Sequence, residues 1–134
     1  NIQLSKKLDN YSIELSKFYL KEIINQTEKK NSVNFCCNQL SCSPELLKNL
    51  AFSAGKQIEN LFLILVCVNE GKAYLSCYIS KTLVQSLNIN ANDVVKDLSQ
   101  YIDGSGGGQP FFANASGTNL KGISKLILEA KKLF

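Results

Sequence analysis

Residues 61–79, LFLILVCVNEGKAYLSCYI, decide the fold of this chain. The continuous apolar run over residues 61–68 predicts a strand that is buried on both faces. Asn69-Glu70-Gly71-Lys72 has the composition of a turn, and the segment from Ala73 to Ile79 predicts the hairpin partner. The apolar run is far too short to cross a bilayer, so we expect no membrane partner.

The segment before this hairpin predicts one more strand and a helix. Val33 to Leu40 has the pattern of a strand. Ser43 can cap a following helix, and Pro44 suits its first helical position. A helix between two strands favours a right-handed parallel crossover. The charged run from Glu28 to Ser32 predicts a linker in front of this unit.

The segment after the hairpin predicts a short helical turn near residues 80–87 and a helix that begins at Asn90. Its apolar face is formed by Val94, Val95, Leu98, Tyr101 and Ile102, and Gly104 ends it. A glycine-rich loop follows, and Thr118 or Asn119 can cap a last helix. The fold class is therefore mixed α/β, with a long N-terminal helix before a small mixed sheet covered by helices.

The sequence pattern from Ile2 to about Lys29 predicts a helix. Its apolar residues recur at alternating spacings of four and three, as in a short coiled coil: Leu4, Leu8, Tyr11, Leu15 and Phe18. This seam is either docked within the chain or paired in a homodimer. We therefore divide the chain into a helical segment, residues 1–30, and a globular domain, residues 31–134.

The composition limits the possible chemistry. The 134 residues include no His, Met or Trp, all 15 basic residues are Lys, and the formal net charge is +4. Without histidine the chain has neither a histidine general base nor the commonest metal ligand, which argues against a self-contained hydrolase or metalloenzyme. The absence of Met leads us to expect a piece of a longer polypeptide, with Phe134 as its C-terminal end.

The five cysteines do not predict a metal site. They are Cys36, Cys37, Cys42, Cys67 and Cys77, and none forms a C-x-x-C pair. Cys67 and Cys77 lie inside predicted strands, which favours small buried hydrophobic residues in a reducing compartment over a redox or disulfide role.

The segment Gly104-Ser105-Gly106-Gly107-Gly108-Gln109-Pro110 holds four of the eight glycines. Successive N–H groups in such a segment can bind an anion such as phosphate, although a flexible connector has the same composition. Downstream, Lys121, Lys125 and Lys132 share one side of the last helix, as a phosphate-binding stripe or as a solvated face. Phe111 and Phe112 are either stacking groups or residues of the core.

Residues 106–110, followed by Ala113, Ser116-Gly117 and a terminal helix, carry a family resemblance. Residues 33–134 resemble the C-terminal domain of bacterial alanyl-tRNA synthetase, a member of the DHHA1 group. The usual family pattern is GGG-R-P, two residues, then A-Q-G-G-G. Here Gln109 replaces the common Arg, and Asn114-Ala115-Ser116-Gly117 replaces the glutamine–glycine run.

The resemblance implies a non-catalytic, cytoplasmic tRNA-binding module. It implies contact with the elbow of alanine-specific tRNA, support of aminoacylation and editing by the parent enzyme, and frequent homodimerisation. The contact residues it suggests, together with the lysine stripe, are Gly106, Gly107, Gly108, Gln109, Lys121, Lys125 and Lys132. The parent would use ATP, Mg and Zn, whereas we expect no cofactor, metal or catalytic residue in this segment. The alternatives are the substrate-binding domain of a DHH-type phosphoesterase, whose triple glycine is followed by His, and a module that serves mainly homodimerisation.

Overall fold

The computed structural model describes residues 17–30, 33–40 and 43–132. Helix α1 covers residues 17–26 of this part of the chain, so it ends before the predicted position near Lys29, because residues 28–30 pair with β2 as a strand. The remaining elements are β1 (Glu28–Lys30), β2 (Val33–Leu40), α2 (Pro44–Gln57), β3 (Leu61–Asn69), β4 (Lys72–Ile79), α3 (Lys81–Leu87), α4 (Ala91–Ser99), β5 (Gly104–Gly108), β6 (Phe112–Gly117) and α5 (Ile123–Lys131), with 3-10 turns at Gln100–Ile102 and Leu120–Gly122.

The strands form one mixed sheet in the order β1-β2-β3-β4-β6-β5. Strands β2 and β3 are parallel and are joined through α2, which confirms the predicted crossover. Strands β3 and β4 form the predicted antiparallel hairpin. Strand β6 pairs with both β4 and β5, so β5 lies at the end of the sheet.

The core consists of two layers, one on each face of the sheet. Phe62, Ile64 and Val66 of β3 point to the layer that also holds Leu83, Val95 and Leu126 of α3, α4 and α5. Leu61, Leu63 and Leu65 point to the opposite layer, with Ile23 of α1 and Leu50 of α2. Each fully buried Leu or Ile contributes about 1.5–3 kcal/mol, so β3, which faces both layers, is the main apolar element of the fold.

Side-chain caps fix the helix starts as the sequence predicts. Ser43 Oγ accepts a hydrogen bond from the Leu46 N–H at 3.2 Å. Asn90 Oδ1 accepts one from the Asn92 N–H at 2.8 Å. Of the two residues predicted to cap the last helix, Asn119 caps the 3-10 turn that leads into it, because its Oδ1 accepts the Lys121 N–H at 3.2 Å. The N-cap of α5 itself is Gly122, which has no side chain to cap it.

Two predicted loops are strands. The glycine-rich segment is β5 rather than a loop, and residues 28–30 of the predicted linker form β1. Both strands are held by main-chain pairing with a neighbour, β5 with β6 and β1 with β2, and main-chain pairing needs no apolar side chain. The division of the chain at residues 30 and 31 stays a prediction.

Helix α1 docks on its own sheet through a face other than the predicted seam. Ile23 is fully buried, and Tyr19 and Leu20 pack against the same layer. Phe18 is 57% exposed and contacts the Tyr19 ring at 5.8 Å. The other seam residues, Leu4, Leu8, Tyr11 and Leu15, lie outside the described residues. The seam therefore stays a prediction, and Phe18 is the seam position that the structure shows to be accessible.

Three of the four described cysteines are buried in strands: Cys36, Cys67 and Cys77. Cys42 lies outside the described residues. Burial raises the pKa of the Cys36 thiol to about 11 and that of Cys37 to about 12. These thiols are therefore protonated at neutral pH, as small apolar side chains.

Within the described ranges, no helix has both the length and the apolar character needed to cross a membrane.

Candidate nucleic-acid interface

Strand β5 presents main-chain groups at the open end of the sheet. Gln109 and Phe112 exchange N–H···O bonds of 2.8 and 3.3 Å at the tip of the β5–β6 hairpin. In an antiparallel ladder such pairs alternate with pairs that are not bonded to each other. The alternation directs the N–H groups of Gly106 and Gly108 away from β6, toward the open edge.

Close approach to β6 explains the glycines. A Cβ on Gly106 would overlap the carbonyl oxygen of Asn114, and a Cβ on Gly108 would lie 2.6 Å from the Phe112 oxygen. Neither position has room for a side chain while the hairpin stays paired. At Gly106 and Gly108 the edge of β5 therefore consists of main chain alone, without side chains of its own.

Helix α4 runs beside this edge and contacts it. Asn92 Oδ1 accepts the Gly108 N–H at 3.0 Å. Lys96 lies one helical turn after Asn92, on the same side of α4, and is exposed. The helix begins near Gly108, where the Ala91 N–H donates to the Pro110 oxygen at 2.8 Å, and leads through a 3-10 turn to Gly104. Lys96 therefore lies in the middle of the helix that connects the two ends of β5. Sequence reasoning missed Lys96; its signal was the spacing of four from Asn92 on the polar face of α4.

The predicted lysines occupy different places along the last helix. Lys125 Nζ lies 5.5 Å from the centre of the Tyr101 ring, in the turn that leads into β5. Lys121 is exposed in the 3-10 turn just after β6. Lys132 pairs with Glu129 at 3.1 Å, about 10 Å further along the helix than Lys125. The structure thus brings Lys121 and Lys125 to the Gly104 end of β5, and Lys132 lies away from it.

The hairpin tip separates the two phenylalanines. Phe112 is buried and stacks on Phe52 with ring centres 4.5 Å apart, so it belongs to the core. Phe111 is half-buried, and Lys81 Nζ lies 5.3 Å from its ring centre. Gln109 is exposed beside them and is tied to the hairpin by its main chain.

The charges around β5 are balanced in number. Three lysines near the strand, Lys96, Lys121 and Lys125, are accompanied by three exposed carboxylates, those of Asp93 and Asp97 in α4 and of Asp103 directly before β5. Such a surface attracts a polyanion weakly and in a salt-dependent way. In the described ranges no cluster of three or more His, Cys, Asp or Glu could hold a metal ion.

Comparisons with known proteins point to one family. The DHHA1 domain family matches residues 32–134. The alanine–tRNA ligase of Christiangramia forsetii is 37% identical over 98% of this chain, and that of Cytophaga hutchinsonii is 35% identical over 98%. The chain spans only 15% of the length of either ligase.

Two solved structures share the fold. The C-Ala domain from Aquifex aeolicus alanyl-tRNA synthetase matches with a TM-score of 0.70 and 19% identity, over 79% of this chain and 95% of that one. A DHH domain protein described as a member of the s1p family of ribosomal proteins matches with a TM-score of 0.50 and 18% identity, over 87% of this chain and 29% of that one.

Proposed function

The chain belongs to the DHHA1 domain family, and we propose that it is the non-catalytic tRNA-binding C-terminal module of an alanyl-tRNA synthetase. The observation that carries the proposal is the main-chain edge of β5, open at Gly106, with the exposed Lys121 and Lys125 near its Gly104 end. Its similarity to alanine–tRNA ligases along nearly its whole length supports the same parent.

The proposed contacts are to the sugar-phosphate backbone of the tRNA elbow. The Gly106 N–H donates to a phosphate oxygen, because the Gly108 N–H is bonded to Asn92 and Gly107 faces β6. Lys96, Lys121 and Lys125 neutralise the phosphate charge. Few side chains here can read base edges, so binding by this chain alone is weak and depends on salt. Lys132, paired with Glu129, contributes least of the predicted lysines.

The parent enzyme supplies the chemistry in this proposal. It would bind ATP, Mg and Zn in other domains and act in the cytoplasm. This module would hold alanine-specific tRNA while aminoacylation and editing proceed elsewhere. The chain by itself would have no ligase activity.

Titration with tRNA tests the proposal. We expect this chain to bind tRNA at low salt. A fourfold rise in salt concentration should weaken the binding at least about tenfold, because this is the salt dependence that two or three phosphate contacts produce. The double variant Lys121→Glu plus Lys125→Glu should reduce the affinity further. Lys21→Glu plus Lys56→Glu, which changes the net charge equally on the opposite face, is the matched control. Equal affinities of the two double variants would contradict the site.

A second role, homodimerisation, is favoured by the exposure of Phe18. Phe18 is the described residue of the predicted seam, and its accessible apolar ring can pack against the same seam of a second copy. Light scattering distinguishes the two outcomes: a dimer that becomes a monomer on Phe18→Ser supports the seam, whereas a wild-type monomer at high concentration removes it. The dimer and the tRNA contact are compatible, since Phe18 lies in α1, which leads into β1, and β1 and β5 are the two end strands of the sheet.

A further inference from the structure

A cleft lies on the α2 side of the sheet, where the sheet extends beyond the helix. Its volume is about 380 Å³. The N-terminal part of α2 forms one side of the cleft, and strands β4, β6 and β5 form its floor. Residues that matter for its chemistry are Lys48, Tyr74, Ser76, Ser105, Asn114 and Ser116.

The floor of the cleft is polar, uncharged and held in place. Ser76 is 4% exposed, and its hydroxyl donates to Asn114 Oδ1 at 3.1 Å. This bond fixes the amide of Asn114, whose Nδ2 hydrogens and second Oδ1 lone pair are then available to a ligand. Ser105 and Ser116 are register partners one row further along the same face and add two hydroxyls.

The walls of the cleft are apolar and aromatic, and its rim is charged. Leu47 of α2 and the half-buried ring of Tyr74 supply apolar and aromatic surface. Glu45, exposed in the first turn of α2, and Lys48, exposed in the second, place one carboxylate and one cation at the rim. A bare phosphate would meet no buried cation here, and a charged side chain would find no buried counter-charge.

We propose that this cleft binds an unpaired nucleobase of the RNA that β5 holds. A base is flat, neutral and apolar on its faces, with donors and acceptors on its edge, which matches an aromatic and apolar wall above a fixed amide and hydroxyls. The proposal rests on the proposed function in one respect, namely the choice of RNA as the source of the base.

The position of β5 connects the two sites. Ser105 lines the cleft, and the next residue, Gly106, carries the N–H that points to the open edge. The cleft lies on one face of β5 and the open edge lies along the same strand. The two are therefore separated by about 5 Å, the width of one strand. A nucleotide whose phosphate lies at the edge has its base on the side of the cleft. Lys48 then faces a neighbouring phosphate, and Glu45 accepts from a ribose hydroxyl.

Nucleosides test the cleft without a phosphate. In ¹⁵N-labelled chain, adenosine, guanosine, cytidine and uridine are each titrated to about 5 mM, which detects dissociation constants near the millimolar range. We expect at least one of them to shift the side-chain amide signal of Asn114 and the main-chain signals of Ser76 and Ser116. Ribose 5-phosphate should leave these signals in place. If no nucleoside shifts them, or if ribose 5-phosphate shifts them equally, the base pocket is wrong.

Variants separate the pocket from the rest of the surface. Asn114→Leu should weaken nucleoside binding about fivefold or more, because it removes the edge contacts. Asn49→Leu, at an exposed position of α2 outside the cleft, is the matched control. Ser116→Leu fills the cleft from a second exposed position, so the test does not depend on one variant folding.

Titration with tRNA, run in parallel, keeps the two proposals distinguishable. If tRNA binds the wild type and Asn114→Leu equally and no nucleoside binds, only the base pocket fails. If nucleosides shift the cleft signals but tRNA does not bind, the pocket stands and the tRNA-binding function fails.

Discussion

Asn92 of α4 accepts the main-chain N–H of Gly108 at 3.0 Å, and so ties the first turn of a helix to the edge strand of the sheet. The amide side chain takes the place that a seventh strand would take at this residue. It closes one end of the edge and leaves the Gly106 N–H directed outward.

Loss of this contact should loosen β5. Asn92→Leu removes the acceptor, so we expect about 1 kcal/mol less stability in urea unfolding and faster amide exchange at Gly108. Asn92→Asp keeps an oxygen acceptor near the helix start and should preserve both. Unchanged exchange in Asn92→Leu would show that the bond does not hold the strand.

Substitution of Gly106 by alanine should disrupt the β5–β6 pairing, because the added Cβ would overlap Asn114 and Ala115. We expect a loss of about 1–3 kcal/mol, measured by urea unfolding. Ser105→Ala, at the exposed neighbouring position, should change stability by less than about 0.5 kcal/mol. Equal effects of the two substitutions would contradict the close approach of the strands.

Lys96 should contribute to tRNA affinity although the sequence pattern of the last helix does not include it. Lys96→Gln should weaken tRNA binding and lower the slope of log affinity against log salt by about 0.7–0.9, the loss of one phosphate contact. Lys56→Gln on α2 is the matched control and should leave the slope unchanged. A slope that does not differ between the two variants would remove Lys96 from the interface.

Stability should fall in alkaline solution because the thiols are buried. Burial, the nearby Cys36 and, in the opposite direction, Lys131 set the pKa of Cys37 at about 12, above its ordinary 9.0. The native state keeps a proton that the unfolded chain releases, so this stabilisation is complete below about pH 9 and is lost as the pH rises toward 12.

The measurement is urea unfolding of the wild type and of Cys37→Ala at about pH 8 and about pH 10. We expect the wild type to lose about 1 kcal/mol more than the variant over this interval. Each protein is its own control at the lower pH, where the thiol is protonated in both states. Identical losses would show that Cys37 ionises as readily in the folded chain as in the unfolded one.

The central elements were predictable because burial leaves a pattern in the sequence. The apolar run of β3 and the turn at Asn69-Glu70-Gly71-Lys72 specified the hairpin, and Ser43 and Asn90 marked the helix starts. The helix between β2 and β3 also specified their parallel pairing.

The β5–β6 hairpin was not predicted, because glycines carry no apolar pattern and are depleted in strands. Strand β6 did leave a signal: Ala113 and Ala115 are buried and alternate with the exposed Asn114 and Ser116. The cleft could not be predicted from any local sequence pattern. Ser76 and Asn114 are 38 residues apart in sequence, and the β4–β6 register brings them together.

The β4–β6 register also sets the order in which the molecule can assemble. Strands β1 to β4 pair with near neighbours in sequence or across one helix, and β5 pairs with β6 in a local hairpin, whereas docking of this hairpin on β4 must close a loop from Tyr78 to Phe112. Long-range closure of this kind is slow and comes late in folding. The edge of β5 and the cleft beside it would then form together, in one late docking step. The rate at which a refolding chain gains RNA binding would measure the rate of that step.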